Sequence, residues 1–405
     1  MDSENTAERP PEPAATMRFD GVDLLRGLSI IAVVLLHGQI RLRFSYYIDI
    51  DSLLPPRWMR LFFWNGGNGV TVFFAISGFL ITLTSLRRFG SLKGMRPARF
   101  YRIRFARIAP LFLGLLAVLS LLHLVGASGF VINPKCGTLP QALFAALTFR
   151  INWFEAAHGY LPANWDVMWS LSIEELFYLF FPLACILLFK IRRGTMLFAA
   201  LLLAFVAMGP FARTVWSGNE IWQGTNYIAG ISDIALGCLT ALLVDGVQRK
   251  KPAWLGARVL LAIQIAGAAM MVLIAFWPPW RWMKELGRTG TDDTALALAT
   301  CMVILGSVLR GRTGRAWTAP IRWFGRHSYE VYLTHEFVVV WVTMLYVRLH
   351  PAGRDWAGGN WGSPLVWIPA QVVLAAPLGW AGARWFSEPM NRWLRGAAGP
   401  GLPAK

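Results

Sequence analysis

Two ionisable residues stand eleven positions apart in one apolar stretch, FDGVDLLRGLSIIAVVLLHG at residues 19–38: Arg26 at its near end and His37 well inside it. Eleven residues of α-helix make three turns plus about 20°, so both side chains share one face, about 16 Å apart along the axis. An ionisable group near the middle of a bilayer is costly, and it faces a protein interior or a pathway. A long ligand with an anionic head and a reactive tail fits that face, with its phosphates at Arg26 and its reactive carbon at His37. A neutral imidazole is the form a general base needs. A plain hydrogen bond from His37 to a neighbouring helix, with Arg26 at the headgroups, accounts for an isolated pair equally well. Asp23, three residues before Arg26, either orients it or serves the helix N-terminus.

Other stretches carry residues of the same kind. RPARFYRIRFARIAP interleaves arginines with Phe and Tyr just before an apolar run, and Arg104 and Arg107 stand one helical turn apart, able to face one phosphorylated ligand. Arginine suits phosphate because its planar fork donates two hydrogen bonds at once, although topogenic charge explains any single one of these residues. WSLSIEELFYLFFP, residues 169–182, places Glu174 and Glu175 in the first half of a span, towards its outer end, with their side chains about 100° apart. Glu174 is expected to position a hydroxyl or to orient His37, and an outer-end carboxylate paired with an arginine is the plainer use. In HSYEVYLTH, Tyr329, Tyr332 and His335 recur at i, i+3 and i+6 on a loose helix face, and His335 is a second candidate for substrate contact, not the base. Ser77 and Gly78 lie mid-helix, where small side chains permit close packing or leave room for a thin acyl arm. Asp233 is intramembrane, and an arginine is its expected partner.

The elements that must position these residues are membrane helices. The chain of 405 residues is 56% hydrophobic and 15% charged, and the apolar residues lie in runs long enough to cross a bilayer core rather than scattered. Ten spans are expected, at 24–43, 66–86, 108–126, 168–189, 195–212, 226–246, 256–276, 292–309, 328–348 and 363–386, giving an all-α polytopic bundle. With the N-terminus in the cytoplasm, the basic residues of 87–107, 190–193, 249–258, 310–326 and 384–405 fall on inner connections, as the positive-inside bias requires. The outer loops are sparser, with Lys135 and Arg150 in one and Arg213 in another. Arg41, Arg43, Arg57 and Arg60, and the 277–290 loop, run against the rule. The net charge of +17 then follows from topogenic arginines and anionic lipid contact, and no free-standing basic domain suggests nucleic acid.

Residues 1–17, acidic and Pro-rich, are expected to form a disordered tail without signal-peptide features, and residues 396–405 a short second tail around a single membrane domain at 18–395. Cys185, Cys238 and Cys301 fall in spans and Cys136 in the outer loop, so no disulfide is expected. No CxxC or HExxH motif suggests a metal. The outer loop from about 127 to 165 and its edge contain Trp153, His158, Asn164, Trp165 and Asp166, which suits sugar recognition and interfacial anchoring alike.

Taken together, DLLRGLSIIAVVLLH, GVTVFFAISGFLI, RFARIAP, WSLSIEELFYLFFP, HSYEVYLTH and FSEPMNRW resemble, in order and spacing over residues 18–395, the acyltransferase 3 family of integral membrane acyltransferases. That family includes acetylases of bacterial surface polysaccharides, nodulation factors and macrolides. The resemblance implies an O-acetyltransferase in the bacterial inner membrane with both termini cytoplasmic. It implies acetyl-CoA (acyl-CoA) as donor, held at Arg26, Arg104 and Arg107, and a glycan or glycolipid hydroxyl as extracytoplasmic acceptor. His37 and Glu174 become the expected catalytic residues, with Ser77, Tyr329, Tyr332 and His335 lining the substrates and no metal. The sequence departs from the family at Thr71, where many members carry Asp, and at His327, where an aliphatic residue is usual. No hydrolase-like domain is expected after the membrane core. A proton-coupled transporter or lipid-linked-sugar flippase is the rival reading, and a non-catalytic sensor of phospholipid or coenzyme A a third.

Overall fold

A computed structural model describes residues 18–215, 218–276, 280–350 and 363–396, all of them helix or connection with no strand among them. The expected tails at 1–17 and 396–405 lie outside the described residues except for Gly396. In chain order the helices are α1 (Asp20–Ile40), α2 (Pro56–Phe63), α3 (Gly66–Phe89), α4 (Pro97–Leu124), α5 (Leu139–Leu147), α6 (Ile151–His158), α7 (Met168–Leu188), α8 (Gly194–Val215) and α9 (Glu220–Thr225). They continue with α10 (Tyr227–Lys250), α11 (Ala257–Phe276), α12 (Arg281–Arg288), α13 (Asp292–Arg310), α14 (Ala319–Arg326), α15 (Ser328–Leu349), α16 (Pro364–Ala381) and α17 (Glu388–Gly396). Ten segments are long and apolar enough to cross a membrane, in agreement with the ten spans read from the sequence. The protein is a multi-pass membrane protein.

Glycine sets the closest helix contacts. A Cβ on Gly78 of α3 would lie 1.8 Å from the Ile234 carbonyl of α10, and one on Gly237 of α10 would lie 1.9 Å from the Ala75 carbonyl of α3. The two backbones therefore touch, as small residues allow in a membrane where packing rather than water drives association. Gly27 of α1 and Gly325 of α14 make the same reciprocal approach, at 1.9 Å to Ile321 and 1.8 Å to Asp23. This contact holds α1 against α14 at the level of Arg26. Beyond Ile40, α1 continues as a π-helical turn, Arg41–Ser45. His37 and Arg41 therefore stand four residues apart on continuous helix, in a kind of distortion often found at functional sites.

The 127–165 segment departs from the expected outer loop. Ala142, Ala145, Ala146, Ile151 and Trp165 are buried in the main apolar core. Phe149, between α5 and α6, stacks on Phe112 in the middle of α4 at 5.9 Å. The pair α5–α6 is thus a re-entrant hairpin reaching to mid-bundle, driven there by its apolar residues. Its irregular backbone finds partners inside the protein, as lipid requires. Tyr227 donates to the Phe149 carbonyl at 2.6 Å, and the Asn152 amide donates to the carbonyls of Trp169 and Thr225 at 3.1 and 2.6 Å. Of the residues expected to meet sugar, Asn164 and Trp165 are buried, and Asn164 donates to the Leu333 carbonyl of α15 at 2.8 Å. Trp153 stays exposed.

Two arginines assigned to outer loops also belong to the bundle. Arg41 pairs with Glu336 of α15 at 2.8 Å, and Arg213, on α8, pairs with Asp233 at 2.8 Å and Asp293 at 3.1 Å. Both charges are paired with acids inside the bundle and are not loop charges of the kind the positive-inside pattern counts. Asp233 has the arginine partner expected for it. Thr71, where the family often has Asp, donates to Asp293 at 3.0 Å.

Candidate active site

Five helices, α1, α3, α4, α7 and α15, meet at the end of the bundle where the arginines gather, here called the basic end. Arg26 of α1 donates from Nε to Ser328 Oγ of α15 at 3.1 Å. Tyr329 of α15 donates to the Ile108 carbonyl of α4 at 2.8 Å, and Tyr101 of α4 donates to the Leu179 carbonyl of α7 at 2.6 Å. Glu174 and Glu175 lie in the first half of α7 as expected, but at the level of these arginines rather than at the opposite end. The reason is that α7 begins deep in the bundle, below the segment bound to Leu333.

A cavity of about 190 Å³ opens among these helices, lined by Arg26, Ser77, Arg104, Arg107, Glu174 and Tyr329, with Tyr178 beside them. A smaller one of about 90 Å³ adjoins it, sharing Arg26, Phe73, Leu171, Glu174 and Tyr329 and extending to Ser170, Tyr332 and Leu333. Seven of the nine residues expected at the site from sequence therefore meet in one double cavity. Its cations differ in their state. Arg107 is held by Glu330 at 2.9 Å, whereas Arg26 and Arg104 make no ion pair with a carboxylate among the described residues. Arg104 lies over the Tyr178 ring at 3.7 Å, with its Nε buried and without a partner. Tyr178 in turn donates to Glu174 Oε2 at 3.1 Å and contacts the Ser77 hydroxyl. Two free guanidinium groups and a single carboxylate give the cavity a net positive lining, suited to phosphate. Glu175 faces a separate groove with Tyr101 and Phe105, so the two adjacent glutamates diverge as helix geometry demands.

His37 and His335 form a second group, farther along α1 and α15. Both helices run in the same direction here, since Arg26 meets Ser328 and His37 meets Glu336. The His37 Nδ1 lies 2.7 Å from Glu336 Oε1, and Arg41 donates to Oε2 of the same carboxylate at 2.8 Å. A proton on Nδ1, the nitrogen beside the carboxylate, leaves the His37 lone pair on Nε2, and the carboxylate favours the imidazolium that forms when Nε2 takes a proton. This is the base-and-orienter arrangement of many hydroxyl-activating sites. The carboxylate beside His37 is Glu336, while Glu174 lies on the double cavity.

His335 packs edge-on against His37, with ring centroids 5.1 Å apart. Its Nδ1 donates to the Tyr332 carbonyl at 2.7 Å, which leaves Nε2 buried without a partner. The His37 side chain is 20% exposed while His335 is 0% exposed, so His37 stands on the solvent side of the pair. Asp166 is near enough to interact electrostatically with His37, Arg41 and Glu336. Donor atoms of His37, His335 and Glu336 fall within 4.8 Å of one another, a spacing a metal ion can use. Here His37 and Arg41 already occupy the carboxylate. His327, the other departure from the family pattern, stacks on Trp323 at 4.4 Å and donates to its carbonyl at the α14–α15 junction.

Glu336, Glu330 and Arg41 were not singled out from the sequence for these roles. The one signal available was that Glu330 and Glu336 are acids within the apolar run of α15, which are rare in a span without a partner.

A family model described as an acyltransferase domain matches residues 19–384. The chain belongs to the acyltransferase 3 family. It is similar to the O-acetyltransferase OatA of Staphylococcus aureus strain NCTC 8325, at 23% identity over 350 residues, 81% of this chain and 52% of that protein. A second protein of S. aureus strain COL, provisionally named O-acetyltransferase SACOL0978, is 25% identical over 351 residues, 82% of this chain and 52% of its own length. The chain thus spans about half the length of the curated relatives it matches. No solved structure matches it.

Proposed function

We propose that this protein transfers an acetyl group from acetyl-CoA to a hydroxyl of a surface glycan or glycolipid, across the bacterial inner membrane. The basic end faces the cytoplasm, with both termini on that side. The observation that carries the reading is that an orienting Glu336–His37 pair lies at the far end of an α1 face whose near end lines an arginine-rich cavity. The coenzyme's phosphates lie against Arg26 and Arg104, and its thin arm extends past Ser77 towards His37. Arg107, already held by Glu330, shapes the cavity more than it binds anions.

His37 Nε2 takes the proton of the acceptor hydroxyl as that oxygen attacks the thioester carbonyl. The new C–O bond forms, the C–S bond breaks, and the proton passes from His37 to the thiolate sulfur. Glu336 keeps the ring in the working tautomer and stabilises the transient imidazolium, while Arg41 keeps Glu336 in place. The reaction releases free coenzyme A thiol and consumes no net proton.

The test uses membrane vesicles of known orientation with labelled acetyl-CoA supplied to one face and a glycan extract of the source cells to the other. The reading expects label in the glycan only when acetyl-CoA meets the basic end, and a raised KM for acetyl-CoA in Arg26→Ala. Transport of an intact solute with no label transferred would favour the carrier.

A further inference from the structure

The donor cavity and the histidine pair do not meet in this structure. The cavity stops at Ser170, Tyr332 and Leu333, and neither His37 nor His335 lines it. Immediately behind Tyr332 is His335, with ring centroids 5.9 Å apart, then His37, whose side chain is 20% exposed. Tyr332 is therefore the ring between the two compartments. Two bonds hold it there, as its hydroxyl donates to the Val167 carbonyl at 3.0 Å and meets Ser170 Oγ at 2.6 Å, both at the start of α7. Phe73 of α3 supports the ring edge-on at 6.2 Å.

We infer that Tyr332 is a movable partition and that it determines whether the acyl group reaches the acceptor hydroxyl or water. The inference rests on the acetyl-transfer reading. A thioester bound in the cavity reaches the histidine pair only when the Tyr332 ring swings aside. Two neutral hydrogen bonds suit that task, being strong enough to favour the closed position and weak enough to break when the thioester arm displaces the ring.

The need for a partition follows from the chemistry. His37 is partly exposed and must admit a hydroxyl acceptor, and the base that activates a sugar hydroxyl activates water equally. Were the thioester always in reach, a water oxygen would bond to its carbonyl carbon and the C–S bond would break. The proton would pass through His37 to the thiolate, leaving acetate and free thiol. Exclusion of water from a reactive group is a recognised function of moving elements at active sites.

The experiment measures thiol release from acetyl-CoA by the full chain in lipid, without and with a glycan extract, for wild type, Tyr332→Phe, Tyr332→Ala and Ser170→Ala. Coenzyme A affinity and thermal stability are followed in parallel. The ratio of acceptor-independent thiol release to transfer is expected to rise about tenfold in Tyr332→Ala and a few-fold in Tyr332→Phe and Ser170→Ala, each compared at saturating acetyl-CoA set from its measured affinity. Should Tyr332→Ala not fold, Tyr332→Phe and Ser170→Ala carry the test, since each keeps the packing while the first removes both latch bonds and the second one of them. Wild-type ratios in both would overturn the partition while leaving the acetyl-transfer reading intact. A wild-type protein that neither binds coenzyme A nor transfers label would overturn both.

Discussion

Two ionic networks are buried in this bundle, and they are finished differently. In one, Arg213 of α8 satisfies Asp233 and Asp293, donates to Thr294 at 3.1 Å and reaches the carbonyls of Ala229 and Gly290 at 3.2 and 3.4 Å, while Thr71 completes Asp293. None of its side-chain atoms is buried without a partner. In the other, Glu336 is shared by His37 and Arg41, but His335 Nε2, 4.0 Å from the same carboxylate, has no hydrogen-bond partner, and His37 is partly exposed. Removing charge from water is costly, so a closed network joins helices, whereas one with unused atoms is available to a substrate. The contrast separates structure from chemistry among residues that look alike in sequence.

The largest expected effect breaks the open network. Glu336→Gln should lower kcat for acetyl transfer by about 10²–10⁴-fold, with partial recovery in Glu336→Asp and little change in coenzyme A affinity. Steady-state kinetics of the three proteins would check it. Next comes the closed network, where Arg213→Ala leaves two carboxylates facing each other and should destabilise the fold by about 3–5 kcal/mol. A lowered melting temperature in detergent is the measurement, and the surviving folded fraction should retain its kcat.

The basic cavity gives a smaller effect. Arg26→Ala or Arg104→Ala should each weaken coenzyme A binding by about 1.5–3 kcal/mol, the range for hydrogen bonds to charged groups, while Arg107→Ala should act chiefly on stability by stranding Glu330. Binding titrations set against melting curves would separate the two classes. The smallest is Thr71→Ala, expected to cost about 1 kcal/mol of stability without touching transfer.

Much of this was legible in the chain. The ten spans are visible because each is a long apolar run, and Arg26, Ser77, Arg104, Arg107, Glu174 and Tyr329 carry residue types that are unusual in such runs. What the sequence concealed was pairing. Arg41 and Glu336 are 295 positions apart, and Arg107 and Glu330 are 223 apart, so no local pattern connects them. Arg41 and Arg213 read as topogenic charges because hydropathy cannot tell a loop arginine from one neutralised within the bundle. The α5–α6 hairpin was concealed for a related reason. Helices of nine and eight residues are too short to register as spans, although they pack into the core.

The depth of Glu174 depends on that same misplaced segment. Its expected position assumed that α7 begins at the membrane surface, whereas Asn164 is already bound to Leu333 near the start of α15. The tautomer of His37 is likewise a tertiary property, set by a carboxylate from another helix.

The central claim is that His37, oriented by Glu336, is the base. It is tested most directly by His37→Ala in lipid with labelled acetyl-CoA and glycan extract, with coenzyme A binding measured on the same sample. The account predicts normal coenzyme A binding and no label in the glycan. Transfer at the wild-type rate by a folded, coenzyme-binding His37→Ala protein would contradict it.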